Sequence, residues 1–212
     1  MQKIIKRLFD KNSPPILIAE ISANHNGSIK KAKNLILTAK KNGADIVKLQ
    51  TYEPKNMTID SSLNDFLIKD GLWKDYKLWD LYKEAQTPFK WQKKLFDYAK
   101  KIKMPCFSTP YDDEGVDLLK KLNTQLYKVS SFEMKDSALV RKICKIGKPV
   151  IISTGLANLN EINEVYHVAK NSGCKKLILL YCVSSYPAKN IDFNLNNIDI
   201  LKKNLNVKLV FQ

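Results

Sequence analysis

Short β-branched apolar runs alternate along this chain with longer segments whose apolar residues return every three or four positions. Seven such runs are readable, at 16–22, 46–52, 105–111, 126–131, 149–154, 177–184 and 207–211. The segments between them carry the helical period. Ala32, Leu35, Ile36 and Ala39 share one face before Asn42-Gly43 supplies a left-handed stop. Leu95, Phe96, Tyr98 and Ala99 precede the third run, and Val116, Leu118 and Leu119 precede the fourth. Ile162, Val165, Tyr166 and Ala169 lead to Ser172-Gly173 and the sixth run. This rhythm predicts parallel strands covered by helices, because a parallel neighbour is reached only through a crossover. Seven units fit a TIM-type (β/α)8 barrel better than an open doubly wound sheet. The turn after the first run, Ala23-Asn24-His25-Asn26-Gly27-Ser28, also lacks the G-x-G-x-x-G spacing of a dinucleotide site. Residues 1–212 contain no low-complexity linker and are read as one barrel domain, incomplete after about seven strands. Between the second and third runs an excursion at 53–87 carries Trp73, Tyr76, Trp79 and Tyr82. It reads as an elaborated loop with one core-packing helix, or as a wall over a barrel mouth.

The strand-like runs also hold polar residues where buried strands should be apolar. Glu20 sits in Ala19-Glu20-Ile21-Ser22, and Lys48 and Gln50 in Val47-Lys48-Leu49-Gln50. Lys128, Ser131 and Glu133 stand in YKVSSFE at 127–133, and Ser153 in Ile152-Ser153-Thr154-Gly155. Charges are costly to bury, and in a parallel barrel they gather where the strand ends open onto the active site. Alternation puts Lys48 and Gln50 on one face. Two ammonium groups, Lys48 and Lys128, with the hydroxyls of Ser131 and Ser153, suit a small ligand with several negative charges. Glu20 and Glu133 suit proton transfer or hydrogen bonds to sugar hydroxyls. Plainer readings exist for each: a lysine paired with a carboxylate for structure, Glu20 capping a loop, Ser153 filling a tight strand end. The ends of the second, fourth and fifth runs are expected to meet at one pocket. His25 reads as a residue tying its own Asn/Gly turn together, and His167 as a helix-surface residue.

The formal charge of +15 raises the question of nucleic acid. The excess is nearly all lysine, spread along helical stretches such as Lys30-Lys31 and Lys93-Lys94, whereas arginine stands only at Arg7 and Arg141. A solvated lysine-rich surface therefore fits better than a nucleic-acid face. No apolar run reaches the roughly 18 to 20 residues of a membrane span, and the first residues lack a signal-peptide pattern. The expectation is a cytoplasmic protein without a membrane partner. Cys106, Cys144, Cys174 and Cys182 form no C-x-x-C pair and read as reduced, mostly buried thiols.

IAEISANHNGS (18–28), VKLQTY (47–52), CFSTPY (106–111), YKVSSFE (127–133) and KPVIISTG (148–155) together resemble the sialic acid synthase family. Gly71-Leu72-Trp73, LYKEAQTP at 81–88 and the Cys182, Ser184, Tyr186, Pro187 pattern are nearest the branch that makes pseudaminic acid. The resemblance implies condensation of phosphoenolpyruvate with an amino sugar, a 2,4-diacetamido-2,4,6-trideoxy hexose, to give a nine-carbon nonulosonic acid and phosphate. Carbon 3 of the enol attacks the aldehyde, water adds at carbon 2, and phosphate departs with C–O cleavage. Synthesis of N-acetylneuraminate or legionaminic acid, a Schiff-base aldolase using Lys48 or Lys128, and a non-catalytic remnant are the alternatives. By resemblance Lys48, Lys128, Ser131 and Ser153 hold phosphate and carboxylate, and Gln50 supports them. Glu20 and Glu133 serve catalysis, and Ser184 and Tyr186 line the sugar side. The family also implies a divalent metal, Mn2+ or Mg2+, on two histidines after the seventh and eighth strands. It implies too a homodimer closed by a C-terminal antifreeze-like domain. Those histidines and that domain are absent from residues 1–212, which are expected to be inactive and poorly stable alone.

Overall fold

The computed structural model describes residues 1–185, 188–205 and 208–211, which fall into two compact units, Met1–Thr124 and Gln125–Gln212.

The first unit opens with α1 (Gln2–Phe9), a helix outside the predicted alternation. It is anchored through Arg7, whose guanidinium lies 2.5 Å from Asp45 Oδ1. The other Asp45 oxygen accepts the Leu17 N–H at 2.9 Å. That backbone bond, and then the arginine, hold the Asp45 carboxyl below the usual carboxylate range. Three parallel strands follow in order: β1 (Ile18–Glu20), β2 (Ile46–Thr51) and β3 (Cys106–Pro110). The helices between and after them are α2 (Ile29–Lys41), α3 (Leu78–Ala85), α4 (Phe89–Lys101) and α5 (Asp113–Lys121). Ser28 caps α2 by accepting the Lys31 N–H, and Asp112 caps α5 by accepting the Gly115 N–H at 2.6 Å. The core gathers Ala32 and Ile36 of α2, Leu95 and Ala99 of α4, and Val47, Leu49 and Cys106 from the strands. The odd-numbered residues of β2 thus face the helices, so Lys48 and Gln50 point to the opposite face.

The excursion at 53–87 departs from its core-packing reading. It holds two single 3-10 turns, an antiparallel bridge between Leu67 and Lys77, and α3, which buries none of its residues. Two helical turns present too little apolar face to replace a core helix. Trp73 and Tyr76 are exposed, and Tyr82 is spent locally: its ring meets Tyr52 edge-on at 6.0 Å, and the Tyr52 hydroxyl donates to the Tyr82 carbonyl at 3.2 Å.

The second unit runs β4 (Tyr127–Val129), α6 (Ser137–Cys144), β5 (Val150–Ser153), α7 (Leu159–Asn171), β6 (Leu177–Tyr181), α8 (Asn196–Asn204) and β7 (Lys208–Phe211). Its strands are parallel and lie in chain order. Asp136 caps α6 through the Ala138 and Leu139 N–H groups, and Asn158 with Glu161 forms a capping box on α7. The fourth run is shorter than its apolar pattern suggested. The backbone turns at Ser130, whose carbonyl accepts the Met134 N–H, so Ser131 lies just past the strand. His167 is on the exposed side of α7, while Cys106, Cys144 and Cys174 are buried. Tyr186 and Pro187, both singled out in the sequence, and position 207 at the start of the seventh run lie outside the described residues. Among the described residues, no helix is long and apolar enough to cross a membrane.

Candidate functional site

Each unit carries a polar cluster at the C-terminal ends of its strands. In the first, the register pairs Glu20 with Lys48 and Gln50 with Thr109 across neighbouring strands. Lys48 is 5 % exposed. Its ammonium lies 2.7 Å from Glu20 Oε2 and donates to Thr109 Oγ1 at 3.3 Å. An ammonium has three donors, and among the described residues these two contacts are the ones it makes with side chains. The pair is asymmetric, because the Glu20 side chain is 41 % exposed. A cation held below the surface with an open carboxylate above it can present a donor to an incoming anion.

Gln50 Nε2 donates to the Tyr111 hydroxyl at 3.2 Å, and the Gln50 carbonyl accepts the Gln92 amide at 2.7 Å. The same Gln92 nitrogen reaches the Thr87 carbonyl at 3.3 Å. Gln92 thus ties the end of β2 to the end of the excursion. Tyr111 stacks edge-on against Tyr52 at 5.3 Å, which gives the cluster an aromatic side. Thr109 and Tyr111 were missed as site residues. Both lie in the quoted CFSTPY motif, but their relation to Lys48 and Gln50 depends on strand register.

His25 is fully buried and its reading as a loop tie holds. Nδ1 accepts the Gly27 N–H at 3.2 Å, so the neutral ring carries its proton on Nε2, which lies 3.3 Å from Thr87 Oγ1. The ring meets Trp91 edge-on at 5.6 Å. Burial lowers its pKa below the ordinary value of 6.5. The neutral form is therefore favoured in the folded state, and this contribution to stability is present above the unfolded pKa. It is lost as pH falls through the folded value. The thermal midpoint is expected to drop on acidification below about pH 6.5, and His25→Gln to flatten that slope; an equal slope in the variant would reassign it to other groups.

In the second unit Lys128 and Ser153 are buried, at 7 % and 2 % exposure. Ser131 Oγ accepts the Gly155 N–H at 3.2 Å. Thr154 donates twice to the Leu180 carbonyl, from its N–H at 3.0 Å and its hydroxyl at 2.9 Å, stitching the end of β5 to β6. Beyond these bonds opens a cavity of about 440 Å³, lined among others by Gly155, Tyr181, Cys182, Ser184 and Asn197. Asn197 donates to the Tyr181 hydroxyl at 3.1 Å across its wall. Glu133 follows β4 in a 3-10 turn, half-buried, and its Oε2 has no hydrogen-bond partner among the described residues. Burial raises its pKa, against the opposing pull of its own backbone N–H and of the Lys128 charge. Ser130 Oγ, buried nearby in sequence, also has no partner among the described residues and was not singled out from the sequence.

For a divalent metal the donor set does not fit. Among the described residues no three His, Cys, Asp or Glu side chains gather to hold an ion, and both nitrogens of His25 are engaged.

Comparison with known proteins brings these features together. Pseudaminic acid synthase of Campylobacter jejuni subsp. jejuni is 41 % identical over 201 residues, covering 95 % of this chain and 59 % of that protein. N,N'-diacetyllegionaminic acid synthase of the same organism is 36 % identical over 190 residues, covering 88 % of this chain and 57 % of that protein. A crystal structure of N-acetylneuraminic acid (sialic acid) synthetase from Leptospira borgpetersenii, in complex with citrate, matches with a TM-score of 0.81 at 28 % identity. That match covers 94 % of this chain and 65 % of the solved one. The chain therefore spans less than two thirds of the length of these relatives. Its fold is the parallel α/β arrangement of their TIM-barrel class. The NeuB family model matches residues 35–211, from within α2 through β7, taking in the second polar cluster and, of the first, Lys48, Gln50 and Thr109, and the chain belongs to the NeuB family.

Proposed function

We propose that this chain carries the phosphoenolpyruvate-handling part of a nonulosonic acid synthase, with a 2,4-diacetamido-2,4,6-trideoxy hexose as the aldehyde partner. The observation that carries the reading is Lys48. A lysine buried only to support the fold would have its carboxylate buried with it, whereas Glu20 is open to solvent. The arrangement suits transient neutralisation of an anionic ligand at a strand end. The 41 % identity to a pseudaminic acid synthase, against 36 % to a legionaminic acid synthase, supports this choice of sugar.

On this reading the remaining ammonium donor of Lys48 and the hydroxyl of Thr109 take an anionic oxygen of phosphoenolpyruvate, with Gln50 beside them. Lys128 and Ser153 have the same class of assignment, ammonium and hydroxyl for an anionic oxygen. Burial raises the Glu133 pKa and so favours its protonated form more than in an exposed glutamate. Glu133 donates its proton to the oxygen of the sugar aldehyde as the enol carbon 3 bonds to the aldehyde carbon. As a carboxylate it then takes a proton from the water that adds at carbon 2. The resulting tetrahedral centre collapses by breaking the bond from carbon 2 to the phosphate-bridging oxygen. Its hydroxyl proton leaves with phosphate, and a ketone remains. A family metal, when bound, would polarise the aldehyde. The described residues do not supply its ligands, and none of these roles depends on it.

The test uses phosphoenolpyruvate labelled with oxygen-18 at the bridge, with manganese and the diacetamido trideoxy aldehyde. It is run on residues 1–212 and on a fusion that continues the chain through the remaining length of its Campylobacter relative. Aldehyde-dependent release of phosphate retaining the label is the expected result in the fusion. Unlabelled phosphate, or borohydride trapping of substrate on Lys48 or Lys128, would sink the reading in favour of P–O cleavage or a Schiff-base aldolase.

A further inference from the structure

Gly155 follows β5, and its φ is outside the left-handed region, so conformation does not call for glycine there. Space does. A Cβ at this position would lie 2.1 Å from Ser184 Oγ, 3.0 Å from Cys182 Cβ and 3.1 Å from the Cys182 carbonyl. The Gly155 N–H is held by Ser131 Oγ at 3.2 Å, and the adjacent Thr154 is bonded twice to Leu180. Gly155 is therefore clamped from both sides and cannot move aside to admit a side chain. What would yield lies in 182–184, which follows β6 and lines the 440 Å³ cavity with Gly155: the Ser184 hydroxyl, the free end of its side chain, would turn out of its place, and Cys182 would give by a few tenths of an ångström.

We infer that Gly155 is a positioning residue, whose missing side chain lets the Ser184 hydroxyl sit against the end of β5 and so sets affinity for the neutral, polyhydroxylated substrate. The inference rests on the reading that this cluster serves an amino sugar, and it adds the residue that places Ser184. It also separates the substrates: Gly155 acts through a neutral hydroxyl, while Lys128 and Ser153 precede it on their own strands. Bulk at 155 therefore weakens the sugar and spares the anion.

Two measurements on the fusion that continues the chain through the remaining length of its Campylobacter relative test this. The first is alkylation of cysteines by iodoacetamide in the native state, read peptide by peptide, and it needs no substrate. Cys182 is half-buried, while Cys106, Cys144 and Cys174 are buried and serve as internal references. In Gly155→Ala the displacement of Ser184 and Cys182 makes Cys182 react at least about threefold faster, with the references unchanged. An unchanged Cys182 rate, or acceleration of all four thiols together, overturns the placement. The second is calorimetric binding of the diacetamido trideoxy sugar and, separately, of phosphoenolpyruvate. Gly155→Ala raises the sugar Kd about tenfold and leaves the phosphoenolpyruvate Kd within about twofold, and in a Ser184→Ala background it adds less than about twofold. Equal weakening of both ligands, multiplication of the two substitutions, or absence of sugar binding to the parent fusion overturns the inference. Failure of the phosphate-release assay with these responses intact would remove the synthase reading and leave the role of Gly155 standing.

Discussion

Glu133→Gln is expected to lower turnover of an active fusion by about a thousandfold, within the range that a positioned general acid contributes, while leaving substrate binding nearly intact. Glutamine keeps the shape and can donate a hydrogen bond, but it cannot give up a proton and take one back. The environment explains why a carboxyl here can do both. Its Oε2 is buried without a partner among the described residues, and burial is the largest influence on its pKa, which is raised. Its own N–H and Lys128 pull the other way and keep the carboxylate accessible, while Asp136 adds to the rise. A raised folded pKa means that folding favours the protonated form. Its contribution to stability is present below the unfolded pKa and is lost as pH rises through the folded one. Glutamine, neutral throughout, escapes that loss. The variant should therefore melt at a higher temperature than the parent on the alkaline side and show no gain on the acidic side. Rate profiles and thermal melts across pH decide the matter together. Retained turnover would remove Glu133 from the proton path, and a lower midpoint at alkaline pH would contradict the burial argument.

The sequence carried the face of β2 because alternation is local. Val47 and Leu49 enter the helix-packed core, and that alone sends Lys48 and Gln50 the other way. It did not carry Thr109 or Tyr111 as their partners, because strand register is set by crossovers of dozens of residues whose lengths fix no offset. The Glu20–Lys48 pair has the same origin: each residue was legible at its strand end, and their adjacency was not. Glu133 was legible through its motif, but the solitude of its Oε2 follows from a 3-10 turn that apolar periodicity cannot register. The excursion misled for a related reason. Aromatic residues mark burial in general, and here Tyr82 and Tyr52 bury against each other in a local cluster. Gly155 stood in a quoted motif, yet only the approach of Cys182 and Ser184 shows what its hydrogen side chain is for.

Lys48→Met should reduce kcat/KM for phosphoenolpyruvate by roughly a hundredfold to a thousandfold, because it removes a charge-assisted contact to an anion worth about 3 kcal/mol or more. Methionine is chosen over alanine because it fills most of the lysine volume, so the loss is not confounded by a cavity. The stability of the same variant is the discriminating measurement. Taking an ammonium to 5 % exposure costs desolvation that the ion pair only partly offsets, since Glu20 keeps much of its hydration. Removing the lysine leaves a carboxylate that water can solvate, and a threonine hydroxyl that loses one of its possible donors. The thermal midpoint should consequently hold or rise while phosphoenolpyruvate use collapses, the opposite of what a structural ion pair would give. A fall in stability matching the fall in activity would return Lys48 to the structural reading considered for it at the outset. Glu20→Gln provides the complementary arm: it leaves the cation in place and removes its competitor. Phosphoenolpyruvate binding should therefore be retained or tightened in that variant even if turnover falls. Loss of binding in both variants would mean that the pair acts as one rigid unit rather than as an anion site with an open lid.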